Sequence, residues 1–148
     1  MSHTYVTDLV HCVFSTKNRR NLIRVEVQPD LWAFLGGIAR KNGFKALTVG
    51  GTENHVHILL SLPATMALAR AVQLMKGGSS RWMNQTHTHQ FEWQEGYGAF
   101  TVGISQKDGT VAYIQSQAEH RTRRSFEEEF LAFLKKHRIE YDPNYVLG

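Results

Sequence analysis

From Tyr5 to Phe14 the chain reads Tyr-Val-Thr-Asp-Leu-Val-His-Cys-Val-Phe. These β-branched and aromatic residues have an imperfect period of two, which predicts a strand ending in the basic turn Lys17-Asn18-Arg19-Arg20. The period then changes. Pro29 suits a first helical turn, Leu31, Phe34, Leu35 and Ile38 recur at helical spacing, and Gly43 after Lys41 and Asn42 is a stop signal. Two more strands are predicted from Phe44 to Gly50 and from His55 to Leu62, joined by the polar connection Gly51-Thr52-Glu53-Asn54 and therefore antiparallel neighbours. Pro63 ends the second of them. Met66, Ala69, Val72 and Met75 open a helical pattern that Gly77-Gly78 should interrupt and that resumes through Trp82. A fourth strand is predicted from Ala99 to Ile104, then helices near 110–122 and 126–137, the last with Ser125 and Glu128 spaced as a capping box.

The order βαββαβ with C-terminal helices is that of an α+β, ferredoxin-like fold, an antiparallel sheet with helices on one face. The other face is then free to carry a site. No repeat, low-complexity tract or linker divides the 148 residues, so a single domain over 1–148 is expected.

Composition narrows the chemistry. Seventeen Lys and Arg against thirteen Asp and Glu give a formal charge of +4, which favours an anionic partner. Cys12 is the only cysteine, which excludes an internal disulfide and a thiolate-rich zinc cluster and suits a reducing cytoplasm. Any metal must be held by nitrogen and oxygen. No apolar run reaches membrane-span length, and the start Met1-Ser2-His3-Thr4 lacks the features of a secretory signal, so a cytoplasmic protein is expected.

His55-Val56-His57 opens a predicted strand, where alternate side chains share a face, so the two imidazoles point the same way and Val56 points into the core. Such a pair can grip a divalent ion, or simply form a polar rim. Tyr113 and Gln117, four apart on a predicted helix, share a face one turn from each other; an amphipathic helix with a half-buried Tyr113 and a solvated Gln117 is the plainer reading. Chemistry joins the pairs. A phenol attacking phosphorus needs in-line positioning and a cation near the non-bridging oxygens, and a His-His-Gln set of neutral ligands would leave bound Mg²⁺ or Mn²⁺ its full charge.

Five stretches resemble the single-tyrosine HUH transposases of insertion-sequence-200-like elements, and the likeness covers nearly the whole chain. They are His11-Cys12-Val13-Phe14-Ser15-Thr16-Lys17, Asn54-His55-Val56-His57-Ile58-Leu59-Leu60, Lys76-Gly77-Gly78-Ser79-Ser80-Arg81-Trp82, Trp93-Gln94-Glu95-Gly96-Tyr97-Gly98-Ala99-Phe100 and Tyr113-Ile114-Gln115-Ser116-Gln117. The resemblance implies that His55, His57 and Gln117 ligate Mg²⁺ or Mn²⁺ and that Tyr113 is the nucleophile, becoming linked to a DNA 5′ phosphate. It also implies a homodimer in which one subunit's tyrosine helix can serve the other's histidines, with Lys107-Asp108-Gly109 as a movable connection or a plain turn. Two positions depart from the family pattern: Asn54 stands where Asp is frequent, and His120-Arg121 replaces a frequent His-His.

Single-stranded DNA with a hairpin is the implied substrate. Three basic clusters are candidates to track its backbone: Lys17, Arg19 and Arg20; Lys76 and Arg81 around a Gly-Gly-Ser-Ser segment; and Arg121, Arg123 and Arg124. Trp82, Trp93, Tyr97 and Phe100 are candidates for base stacking, although such spacings more often mark core. His87 and His89 read as solvated, and Cys12 as a buried strand residue. Two other functions stay open, a non-catalytic (domesticated) nucleic-acid-binding module and a hydrolytic metal-dependent phosphodiesterase in which Tyr113 is structural.

Overall fold

A computed structural model describes residues 3–87, 90–117 and 125–147. The elements run β1 (Leu9–Ser15), α1 (Gln28–Lys41), β2 (Lys45–Gly51), β3 (His55–Ser61), α2 (Leu68–Thr86), β4 (Gly98–Val102), α3 (Lys107–Gln115) and α4 (Phe126–Lys136). The four strands form one antiparallel sheet in the order β2-β3-β1-β4, which is the expected α+β topology. β1 and β3 lie in the middle and are buried almost throughout.

Strand alternation gives the sheet two faces with different partners. Val10, Cys12 and Phe14 of β1 and Val56, Ile58 and Leu60 of β3 join one core, closed by α1 and α2 through Leu31, Leu35, Val72 and Met75. His11, Val13, His55, His57 and Leu59 point the other way, beneath the C-terminal helices: α4 contributes Phe126, Phe130 and Leu134, and α3 contributes Ile114. The face left over by α1 and α2 is thus the one that carries the site.

Several predicted boundaries shift for physical reasons. Pairing of β1 begins only at Leu9, opposite Ser61 and Val102, and Tyr5 and Val6 are exposed despite their strand-forming character. The interruption expected at Gly77-Gly78 does not occur, since α2 runs unbroken through both. A glycine inside a helix costs about 1 kcal/mol relative to alanine; here a Cβ on Gly78 would come 2.8 Å from Cδ1 of Ile38, so the missing side chain lets α1 approach α2 closely. Lys107-Asp108-Gly109 is not a connection but the first turn of α3. α4 begins as the capping box predicts, with the Ser125 hydroxyl accepting from the backbone of Glu128. No helix among the described residues is long and apolar enough to cross a membrane.

Candidate metal centre and nucleophile

β3 sets the two histidines. His55 and His57 are both buried, and their ring centroids lie 5.1 Å apart on the face that α3 and α4 cover. Val56 between them is fully buried in the opposite core, as alternation requires.

Each imidazole is oriented from behind. Nδ1 of His55 lies 2.8 Å from Oδ1 of Asn54 and 3.0 Å from Oγ1 of Thr52. An amide oxygen can only accept, so the proton sits on Nδ1 and Nε2 presents a lone pair. Asn54 therefore supplies here the acceptor that a carboxylate would otherwise supply. Nδ1 of His57 lies 2.8 Å from Nε2 of His11, which is buried on the neighbouring central strand β1. Burial, and secondarily the neighbouring His57, lowers the pKa of His11 from 6.5 to about 3, so it is a neutral ring able to exchange one hydrogen bond with His57. Fixing Nδ1 in this way is how ring orientation and tautomer of a metal-binding histidine are controlled.

The two Nε2 atoms face oxygen. Nε2 of His55 lies 3.1 Å from Oε1 of Gln117, whose own amide nitrogen donates to the carbonyl of Tyr113. Nε2 of His57 lies 2.8 Å from Oε1 of Glu129, and Nε2 of His55 lies 3.8 Å from the same oxygen. With its proton on Nδ1, His55 meets Gln117 lone pair to lone pair beside a carboxylate, a cluster of acceptors that a cation between them satisfies. Octahedral Mg²⁺ with bonds near 2.1 Å holds adjacent ligand atoms about 3 Å apart, so the donor set fits a hard divalent ion.

Gly50 brings the tyrosine helix to this cluster. It pairs with His57 across β2 and β3, and a Cβ on it would lie 2.2 Å from the carbonyl oxygen of Ile114. Only a residue without a side chain lets the α3 backbone sit so close to the sheet. Tyr113, next to Ile114, is consequently half-buried with its ring 5.7 Å from that of His57 and 6.0 Å from that of His11. Its side chain neighbours Glu129 and favours the ionised form of that carboxyl. The structure thus gathers His55, His57, Tyr113 and Gln117 within one chain, and Gln117 is buried where the plainer sequence reading had it solvated.

Two residues of the cluster were not singled out by the sequence reading. Glu129 is 4% exposed on α4, on the same helical face as Phe126 and Phe133. A carboxylate at a core position of an amphipathic helix demands a buried partner, and that was the available signal. His11 carried the analogous signal, a titratable residue inside an otherwise apolar strand. Burial opposes ionisation of Glu129, but its hydrogen bonds and attraction to His57, with Tyr113 and His55 assisting, lower its pKa from 4.5 to about 2.

The basic clusters have mixed fates. Lys17 pairs with Glu92 at 3.1 Å and Arg19 with Glu127 at 3.2 Å, while Arg20 is exposed. Lys76 donates to the carbonyls of Gln94, Glu95 and Gly96 and lies over the ring of Phe14, so its ammonium organises the 94–96 loop. Ser79 is likewise engaged internally, donating to the carbonyl of Met75 and accepting from the indole of Trp93. Arg81 lines a groove between α1 and α2 together with Lys41, Arg70 and Trp82. Arg121, Arg123 and Arg124, with His120 and His89, lie outside the described residues.

Among the aromatic candidates, Trp93 packs edge-on against Phe14 and Phe91, and Phe100 stacks on Phe133; both are core. Trp82 is half-buried and stacks on Phe34, Tyr97 is 37% exposed, and Cys12 is fully buried. His87 is exposed, as expected.

Comparison with known proteins supplies an independent frame. The family described as "Transposase IS200 like" matches residues 5–117. The ISDra2 transposase TnpA of Deinococcus radiodurans is 30% identical over 114 residues, covering 72% of this chain and 81% of that protein. The transposase for insertion sequence element IS200 of Salmonella typhimurium is 24% identical over 128 residues, covering 82% of this chain and 81% of that one. A solved structure of a candidate transposase from Deinococcus radiodurans superposes with a TM-score of 0.64 at 26% identity, covering 79% of this chain and 96% of that chain. A REP-associated tyrosine transposase bound to a REP hairpin shares the fold at a TM-score of 0.57 and 14% identity, covering 77% of this chain and 68% of that chain.

Proposed function

The chain belongs to the IS200-like transposase family, and from that premise we propose that it cleaves and rejoins single-stranded DNA at hairpin-containing element ends through a 5′-phosphotyrosine intermediate. The observation that carries the reading is the meeting of Tyr113 with His57, ring centroids 5.7 Å apart, above a cluster of inward-facing ligand atoms.

His55, His57 and Gln117 would hold Mg²⁺ or Mn²⁺. When bound, the ion withdraws charge from the non-bridging oxygens of the scissile phosphate. The chain's residues do the rest. Asn54 and Thr52 hold His55, and His11 holds His57, so that neither imidazole turns away from the phosphate. Gly50 seats α3 so that the Tyr113 oxygen approaches the phosphorus in line with the leaving 3′ oxygen. The Tyr113 oxygen bonds to phosphorus as the bond to the 3′ oxygen breaks, and the proton lost by the phenol is balanced by the one the leaving oxygen takes up, leaving a free 3′ hydroxyl and a 5′ phosphate on Tyr113. Attack by another 3′ hydroxyl reverses the step and frees the tyrosine, so joining needs no external energy source. Arg20 and Arg81, with Lys17 and Arg19 after their ion pairs open, supply sequence-independent phosphate contacts.

Labelled single-stranded hairpin DNA incubated with the protein and Mn²⁺ should yield a covalent adduct stable to denaturation, and Tyr113→Phe should yield none. An adduct with Tyr113→Phe, or none with the unaltered protein, defeats the reading. The protein works as a homodimer, and each chain gathers its own Tyr113 and His57. Mixing His57→Ala with Tyr113→Phe chains therefore restores cleavage only if the tyrosine helix crosses between subunits.

A further inference from the structure

We propose that Glu129 is a fourth protein ligand of the ion, so that the centre is His55, His57, Gln117 and a carboxylate from α4 rather than three neutral groups. The inference rests on the proposed metal-dependent reaction and departs from the ligand set that the family resemblance implies.

Position is the first argument. Oε1 of Glu129 lies 2.8 Å from Nε2 of His57 and 3.8 Å from Nε2 of His55, and ligand atoms of the three residues all fall within 4.8 Å of one another. The 2.8 Å separation is that of ligands on neighbouring vertices around one hard cation, and the 3.8 Å one needs only a small closure of the side chains about the ion. Burial is the second. Glu129 is 4% exposed, and α4 locks its backbone, with Phe126 packed on His55 at 4.8 Å between ring centroids and Phe133 on Tyr113 at 5.8 Å. A carboxylate is costly in such a place unless a positive partner faces it. Among the described residues, His55, His57, His11, Tyr113, Phe100 and Phe133 surround it without a fixed positive charge, an imidazole being charged only when protonated, whereas a divalent ion carries one. Chemistry is the third: oxygen-rich, carboxylate-containing sets suit Mg²⁺ and Mn²⁺, while imidazoles alone also suit Zn²⁺.

The consequence is a centre of net charge +1 instead of +2. Tyr113 also favours the ionised form of Glu129, so the same carboxylate borders both the ion and the nucleophile.

The test is Mn²⁺ binding without DNA, followed by the electron paramagnetic resonance of free Mn²⁺, on the unaltered protein and on Glu129→Gln, Glu129→Asp, Gln117→Ala and His57→Ala. Glu129→Gln should weaken Mn²⁺ binding by about tenfold or more, with Glu129→Asp recovering part of the loss. Thermal melting in chelator identifies variants that fail to fold. Should Glu129→Gln misfold, Glu129→Asp with a changed Mn²⁺ spectrum carries the same conclusion. Unchanged or tighter Mn²⁺ binding by a folded Glu129→Gln protein overturns the inference, because the carboxylate would then be a bystander or a competitor. If His57→Ala still abolishes binding in that case, the proposed function stands without Glu129. If the unaltered protein binds no Mn²⁺, the ligand assignment falls, and the covalent-adduct assay decides the function separately.

Discussion

Nε2 of His11 lies 2.8 Å from Nδ1 of His57, a contact between two buried rings on adjacent central strands. It decides which way His57 presents its other nitrogen. His57 can offer a lone pair at Nε2 only with its proton on Nδ1, and that proton then needs the unprotonated Nε2 of His11. His11→Phe fills much the same space and removes that acceptor, so Mn²⁺ affinity should fall roughly 10- to 100-fold, with His11→Gln falling less. Calorimetric titration of the two variants checks this; equal affinities for all three proteins would show that His11 is merely packed there.

The same residue makes the protein acid-sensitive. Its pKa is lowered from 6.5 to about 3 in the fold, chiefly by burial. Between these values the unfolded chain binds a proton that the folded chain does not, so stability is lost as pH falls through that window, by up to about 1.4 kcal/mol per pH unit. Glu129, lowered from 4.5 to about 2, adds a loss of the same sign below pH 4.5, where the unfolded chain again binds the extra proton. Urea unfolding in chelator at pH 6.5, 5.5 and 4.5 should therefore show a steeper decline for the unaltered protein than for His11→Phe. Parallel declines would contradict it.

Gly50→Ala should separate the nucleophile from the metal centre. The new methyl would collide with the backbone carbonyl of Ile114, which cannot rotate away as a side chain does. α3 must retreat, costing about 1–3 kcal/mol as overpacking does. Covalent adduct formation should drop by at least an order of magnitude, by analogy with small displacements of reacting groups. A folded variant with normal cleavage would mean that α3 is not held by this approach.

Lys76→Met distinguishes a structural cation from a DNA contact. The ammonium donates to three loop carbonyls, and Gln94 of that loop accepts from the backbone of Ser15, the residue opposite His55. Removal should lower stability by about 1–3 kcal/mol while leaving the salt dependence of single-stranded DNA binding unchanged. A salt slope reduced by about one, without a change in melting temperature, would instead place Lys76 on a phosphate.

Much of this was written locally. The period-two runs at β1 and β3, the helical spacing around Leu31 and Leu35, and the Ser125 cap each depend on neighbours a few residues away, and each element is found at its pattern, with β1 starting four residues later than expected. Local patterns also placed His55 and His57 on one face, because strand alternation is a property of the backbone alone. Tertiary packing decided the rest. Gly77-Gly78 reads as a break until Ile38 is seen against it, and Gly50 reads as a turn-flanking glycine until Ile114 lies on it. His11 and Glu129 stand 46 and 72 residues from His57, and neither spacing has a local signature. The four residues named from motif and chemistry are the ones proposed to hold an ion and attack a phosphate. What orients them is fixed only when β1, β2 and α4 close around β3, because hydrogen bonds between distant segments exist in the folded chain and nowhere else.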